Sequence, residues 1–182
     1  MADNAIAPQR HTLGTPDREC RYPVLLNGKF IGLVFRWHRA WFAIPAGITT
    51  PAGLHIEIRV SAGAIGKDTA ARYLCDEADA GRITPHPHTP LHLQPAYHNG
   101  PAPLLHRRMA PTARNIAAAH KAMTGLDEYR WTPLCGYPGA DNPWLLSCDL
   151  CGWEGPKYWS HLRGRNGNAP SLFRHPGCAR PQ

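Results

Sequence analysis

The sequence predicts an α+β protein: a small antiparallel sheet with one helix, then a proline- and histidine-rich linker with a second helix, then a cysteine-containing C-terminal module. Three observations predict this organisation. Apolar runs separated by turn residues fill 21–82, which is typical of short antiparallel strands. Proline recurs without helical or strand period through 83–111. A Cys-x2-Cys pair and a His-x2-Cys pair lie near the C-terminus.

The N-terminal part is predicted to form a flexible arm (1–20) and a small sheet-plus-helix domain (21–82). In RYPVLLNGKFIGLVFRW, Asn27-Gly28 stands between two apolar runs and favours a hairpin, since both turn positions need positive φ. AWFAI is predicted to be the third strand. LHIEIRV alternates from Leu54 to Val60 and predicts a half-buried strand.

The segment GKDTAARYLCDEADAG predicts a helix that covers the sheet, with Asp68 as its N-cap and Gly81 as its stop. The range 83–111 is predicted to be an extended, solvated Pro/His-rich linker, despite its five histidines. The range 112–130 is predicted to be a helix with Thr112 as N-cap and Gly125 at its end. Its face, which includes His120, is expected to pack on a neighbouring element.

The C-terminal range 131–182 is predicted to bind a metal, because LLSCDLCGWEG places Cys148 and Cys151 two residues apart with Gly152 directly after. Two thiolates that converge on one tetrahedral ion require the backbone to fold back, and a glycine accepts the positive φ of that turn. A thioredoxin-like redox pair would open a helix instead, and the glycine and proline that follow disfavour one.

The second half of the predicted site is HPGC, which supplies His175 and Cys178 after a spacer typical of structural zinc sites. The predicted shell is therefore Cys148, Cys151, His175 and Cys178 around one structural Zn²⁺. Cys135 and His161 are the alternates, because either residue could replace His175.

GYPGADNPWLLSCDLCGWEGPKYWSHLRG followed by HPGC resembles the zinc-ribbon or treble-clef-like modules of phage and mobile-element proteins. The matching positions are Tyr137, Gly139, Trp144, Cys148, Cys151, Gly152, Leu162, Gly164 and Cys178. His175 stands where the pattern usually has cysteine. With four residues after Cys178, a ribbon-like form is expected rather than a treble clef. The resemblance implies a zinc-stabilised module that is often joined to nucleic-acid-binding proteins. The run VLLNGKFIGLVFRWHRAWFAIPAG loosely resembles the small β-sheet arms of phage integrases.

The charge pattern favours an acidic partner, since 20 lysines and arginines exceed 13 acidic residues and the pI is about 9.3. The basic residues after Glu154, together with the four tryptophans between Trp131 and Trp159, suit phosphate contacts and base stacking. The candidate nucleic-acid contacts there are Lys157, Trp159, Arg163, Arg165 and Arg174, with Arg36 and Arg39 at a predicted turn further upstream. The alternative is that the tryptophans form the module's core and the basic residues balance the thiolates.

These features predict a zinc-containing nucleic-acid-binding accessory or regulatory protein of a phage or mobile element, with DNA favoured over RNA. The alternative is a protein–protein adaptor whose zinc module docks a partner such as host transcription machinery. A third hypothesis, an HNH-like nuclease, would use His161, Asn168 and His175, but no other catalytic motif accompanies them. We expect a cytoplasmic location and no membrane partner, because neither a signal peptide nor a long apolar segment is present.

Overall fold

The computed structural model describes residues 10–62, 65–90, 93, 101–170 and 175–178. The chain divides into two compact units. The first unit contains residues 1–15, 21–35 and 40–94. The second unit contains residues 16–20, 36–39 and 95–182. Among the described residues, no helix combines the length and the apolar character required to cross a bilayer.

The first unit is built on a five-stranded sheet with the strand order β1-β2-β3-β4-β5. The strands are β1 (His11–Leu13), β2 (Tyr22–Leu26), β3 (Lys29–Trp37), β4 (Ala40–Pro45) and β5 (Ile58–Ala62). The predicted hairpin is confirmed: Asn27 and Gly28 have φ values of 51° and 76°, and β2 pairs antiparallel with β3. A second turn at His38 and Arg39 also has positive φ and joins β3 to β4.

The strand predicted from LHIEIRV is shorter than expected, because its first half lies in a turn. Thr50 N–H donates to the Leu54 carbonyl at 2.7 Å, and Gly53 N–H donates to the Thr50 carbonyl at 2.9 Å. These hydrogen bonds close a loop, and Leu54 is 67% exposed. Only from Ile58 does the chain pair with β4, so the alternating pattern correctly predicted the second half alone.

Helix α1 (Gly66–Asp79) packs against β4 and β5 with Ala70, Ala71 and Leu74 fully buried. Its N-cap is Ile65 rather than Asp68. Asp68 lies in the first turn, where a carboxylate interacts favourably with the helix dipole. Gly81 follows the C-cap with φ +73°, as expected for a stop signal.

The Pro/His-rich range 83–111 has contacts near both of its ends. Ile83 is buried, and Phe30 and His86 exchange backbone hydrogen bonds of 2.7 and 2.8 Å. Further along, His106 N–H donates to the Tyr137 carbonyl at 3.0 Å, and the His106 side chain is 7% exposed. Residues 91–92 and 94–100 of this predicted linker lie outside the described residues.

The second unit contains α2 (Ala113–Glu128), a sheet of order β6-β7-β8, and the short helix α3 (Trp159–Leu162). Its strands are β6 (Trp131–Pro133), β7 (Trp144–Cys148) and β8 (Glu154–Lys157), and both pairings are antiparallel. The α+β class and the antiparallel sheets are therefore confirmed.

Helix α2 begins as predicted but ends later. The Thr112 hydroxyl accepts a hydrogen bond from Asn115 N–H at 3.2 Å, which confirms the N-cap. Gly125 lies inside the helix, where a Cβ would be 2.2 Å from Trp159 Cη2. Glycine at this position allows the helix to pack closely on the indole and does not end the helix. The buried face is Ala119, Ala122 and Leu126, while His120 is exposed, contrary to the expected packing.

Candidate metal centre and basic pocket

Four side chains from the two predicted ligand pairs meet at the end of β7. The donor atoms of Cys148, Cys151, His175 and Cys178 all lie within 4.8 Å of one another. Cys148 is fully buried, His175 is 6% exposed, Cys178 is half-buried and Cys151 is exposed. The structure thus brings together the four residues that the spacing predicted, and this group can hold a metal ion.

The backbone around Cys148 explains how the first pair converges. Cys148 is the last residue of β7, and its carbonyl accepts hydrogen bonds from Cys151 N–H at 3.3 Å and Gly152 N–H at 2.8 Å. Gly152 has φ +73°, which reverses the chain into β8 at little steric cost. Cys148 N–H then bonds the Trp153 carbonyl at 2.8 Å, so the turn is closed on both sides.

The distances between donor atoms suit a tetrahedral ion. Zinc binds thiolate sulfur at about 2.3 Å, so two sulfurs of one tetrahedral shell lie roughly 3.8 Å apart. Cys148 Sγ and Cys178 Sγ are 3.7 Å apart, far beyond the roughly 2.05 Å of a disulfide. Cys151 Sγ and His175 Nε2 are 3.1 Å apart, a separation that an ion would open to roughly 3.5 Å.

The tautomer of His175 is set by its second ring nitrogen. Nδ1 lies 2.9 Å from the Pro176 carbonyl, which can only accept a hydrogen bond, so Nδ1 carries the proton. Nε2 then presents its lone pair towards Cys151. A backbone carbonyl that orients the distal nitrogen in this way is typical of metal-binding histidines.

Aromatic rings enclose the imidazole side of the group. Trp153 stacks on His175 with ring centroids 4.6 Å apart and an interplanar angle of 9°. Trp131, which pairs with Cys148 across β6 and β7, meets the same imidazole edge-on at 6.2 Å. The Lys157 ammonium lies 5.4 Å from the Trp131 ring centroid and 5.3 Å from that of Trp153.

Without a cation, ionisation of the Cys178 thiol is disfavoured. Burial, followed by the neighbouring thiols of Cys148 and Cys151, raises the pKa of Cys178. A bound divalent cation reverses this balance because it stabilises the thiolates directly. The electrostatics of the group therefore suit a metal site.

The two alternate ligands lie elsewhere in the second unit. Burial raises the pKa of the Cys135 thiol to about 11, so it is a protonated core thiol. Its carbonyl accepts a hydrogen bond from Trp144 Nε1 at 2.8 Å. His161 lines a separate pocket. Among the described residues, neither side chain belongs to a metal-binding group.

The predicted nucleic-acid contacts have different environments. Trp159 is 6% exposed in the core against Gly125, so its ring does not offer a face for base stacking. Lys157 lies over the tryptophans of the metal centre. Arg163 is exposed. Arg174 lies outside the described residues. The remaining three candidates meet in one place: Arg36, Arg39 and Arg165 line a common cavity.

This cavity, the basic pocket, has a volume of about 420 Å³, and its other lining residues are Asp141, Tyr158, Ser160, His161 and Asn166. All eight residues belong to the second unit. The turn with Arg36 and Arg39 is fixed there by the buried Asn142, whose Oδ1 accepts from His38 N–H at 2.7 Å. Sequence reasoning missed Asp141, Tyr158, Ser160 and Asn166 as site residues, because nothing in the sequence relates them to a turn more than 100 residues upstream.

Ion pairs hold two of the three arginines. Asp141 contacts Arg39 Nη2 at 3.3 Å through Oδ2 and Arg165 Nη1 at 3.4 Å through Oδ1. The Ser160 hydroxyl, followed by Arg39 and Arg165, holds the pKa of Asp141 below its usual range. Asp141 is therefore a carboxylate that pairs with two guanidinium groups in the lining of the pocket.

The pocket also contains polar atoms with unused hydrogen-bonding capacity. Arg36 donates to the Tyr158 hydroxyl at 2.9 Å through Nη1. Its Nε is buried and has no hydrogen-bond partner among the described residues. Ser160 Oγ is also buried, and it makes no hydrogen bond of good geometry there, although it is close enough to Asp141 to lower that pKa. Buried donors without partners are costly, which indicates that a ligand or solvent completes them.

Comparison with models of known protein families, with curated proteins and with solved structures finds no match for this chain. The resemblances to zinc-ribbon modules and to integrase arms stay predictions from sequence.

Proposed function

We propose that this chain is a zinc-containing nucleic-acid-binding protein, with an accessory or regulatory role in a phage or mobile element. The observation that carries the binding function is the convergence of three arginines on a concave surface of the unit that also contains the Cys3His group. The phage or mobile-element role is supported by the sequence resemblance alone.

Zinc is the proposed ion because of the donor set. Three thiolates and one imidazole at tetrahedral spacing favour Zn²⁺ over Mg²⁺ and Ca²⁺, which prefer oxygen ligands. Four protein ligands leave no open coordination position, so the ion would be structural and would stabilise the β7–β8 turn. A ribbon-like module is compatible with the β6-β7-β8 sheet, which supplies the first knuckle.

Nucleic acid is the proposed partner because guanidinium groups match phosphate oxygens in charge and geometry. Arg39 has a side chain that is 73% exposed, and Arg163 is exposed, so both are accessible to a polyanion. The chain's net charge of +7 would accelerate encounter with the same partner.

The test is fluorescence anisotropy of duplex DNA, single-stranded DNA and RNA with the zinc-loaded protein over a salt series. We expect affinity to fall steeply with salt. In the double variant Arg163→Gln/Arg165→Gln, the slope on duplex DNA should shallow by about two units, roughly 0.9 per lost phosphate contact. The exposed Arg114 on α2 provides the matched control, Arg114→Gln, which should retain the parent slope.

The adaptor is the alternative, and the same experiment separates it. No binding to any nucleic acid at low salt would refute the proposal. A protein that then co-purifies with the chain through the zinc-containing unit would favour the adaptor.

A further inference from the structure

We propose that the basic pocket is a binding site for a phosphate monoester, the terminal phosphate of a nucleic-acid strand. This inference deepens the proposed function, and its nucleic-acid source rests on that function. The pocket itself is argued from its charge, its unpartnered donors and its size.

The charge of the lining matches a monoester better than a diester. Arg36, Arg39 and Arg165 contribute three positive charges and Asp141 one negative charge, which leaves +2 when His161 is neutral. A phosphate monoester carries about −1.5 to −2 at neutral pH. A phosphodiester within a strand carries a single negative charge and would leave the pocket with excess positive charge.

The unpartnered donors indicate where the anion would be held. The hydroxyl of Ser160, a residue that is 2% exposed, and the Arg36 Nε–H are buried in the lining without a hydrogen-bond partner of good geometry among the described residues. A terminal phosphate brings three strong acceptor oxygens, which suits this concentration of donors. The Asn166 amide is a further donor in the lining.

Two features define what surrounds the phosphate. The Asp141 carboxylate, paired with Arg39 and Arg165, would limit how closely an anion approaches that part of the lining. A volume of about 420 Å³ exceeds what a lone phosphate needs and lies in the range of small-ligand sites. Tyr158 and His161, with ring centroids 5.1 Å apart, provide aromatic surface for the attached nucleoside.

The experiment uses the zinc-loaded full chain and one oligonucleotide sequence with a 5′-phosphate, a 3′-phosphate or hydroxyls at both ends. We expect one phosphorylated form to bind about tenfold more tightly than the hydroxyl form, since a hydrogen bond to a charged group contributes about that factor. Arg165→Gln and Ser160→Ala should abolish this preference.

Arg163→Gln is the matched control, because Arg163 is exposed two residues away but does not line the pocket. It should weaken all three oligonucleotides alike and leave the preference for the phosphorylated end unchanged. Equal binding of the three forms by the parent protein would overturn the proposal, as would loss of the preference in Arg163→Gln alone.

A titration with inorganic phosphate distinguishes an incorrect pocket assignment from an incorrect proposed function. Phosphate should shift the imidazole resonances of His161 in the parent and not in Arg165→Gln. If phosphate does so while no oligonucleotide binds, the pocket is a phosphate site and the nucleic-acid source is refuted. If oligonucleotides bind but phosphate produces no shift, the function stands and the pocket proposal falls. A phosphoserine peptide that competes better than the oligonucleotide would also overturn the nucleic-acid source.

Discussion

Replacement of Gly125 by alanine should destabilise the second unit, although it improves the intrinsic preference of α2 for helix. Gly125 lies inside α2, and the face of the helix at this position contacts the indole of Trp159. A Cβ at this position would lie 2.2 Å from Trp159 Cη2 and 3.0 Å from Cζ2. Two effects of opposite sign therefore compete at one residue.

The steric effect should be larger. Alanine in a helix interior is favoured over glycine by about 1 kcal/mol. Carbon atoms pack at about 3.5 to 4.0 Å, so the indole would have to move by more than an ångström. Trp159 is 6% exposed in a core with Ala122 and Leu126, and it has little room to move. Overpacking of this kind costs about 1 to 3 kcal/mol, and at its upper end the net loss is about 2 kcal/mol.

The measurement is urea unfolding of zinc-saturated protein, followed by tryptophan fluorescence. Ala117→Gly at an exposed position of α2 reports the helix preference alone and should cost about 1 kcal/mol. In a Trp159→Phe background, which removes the clashing ring atoms, Gly125→Ala should become stabilising by about 1 kcal/mol. If Gly125→Ala stabilises the parent protein, the indole of Trp159 does not pack closely against Gly125, and the reasoning is refuted.

Four further outcomes test the candidate metal centre and the pocket. Elemental analysis should find one zinc per chain in the parent and in Cys135→Ser, and a folded parent protein without metal would contradict the assignment. Cys148→Ser should lose zinc and shift tryptophan emission to the red as Trp131, now 2% exposed, meets water; unchanged emission would show that the ion does not hold this core. Burial, followed by Arg165, lowers the pKa of His161, so folding stability should fall as pH drops through the usual histidine range near 6.5. Because a bound anion favours the protonated ring, calorimetry should show sulfate binding more tightly at pH 5.5 than at 7.5 and this difference disappearing in His161→Gln.

Local sequence signals predicted the turns and the convergence of the four cysteine and histidine side chains. Asn27-Gly28 and Cys148–Gly152 are turns whose backbone geometry is encoded within a few residues. The pairing of the two knuckles also followed from sequence, because four ligands must close one shell. Such features are predictable because they depend on neighbouring residues or on the fixed number of ligands that a metal ion requires.

Features that depend on tertiary packing were not predictable in this way. Leu54 continues a regular alternation, yet a loop closed by Thr50 removes it from the sheet. Gly125 has the sequence character of a helix stop, but it is explained by an indole that packs on it 34 residues later in the chain. The basic pocket combines a turn at Arg39 with residues beyond Asp141, and no periodicity links positions so far apart.

The metal centre has a topological consequence for the basic pocket. Cys151 and His175 enclose 23 residues, and this segment supplies Tyr158, Ser160, His161, Arg165 and Asn166 to the pocket. An ion held at both ends would act as a cross-link that turns the segment into a ring and removes part of its chain entropy, as a disulfide does. If zinc and phosphate bind as we propose, oxidation or chelation would open this ring and loosen the segment that supplies Ser160, Arg165 and Asn166 to the pocket. By thermodynamic reciprocity, phosphate in the pocket should raise the affinity for zinc by the same factor by which zinc raises the affinity for phosphate.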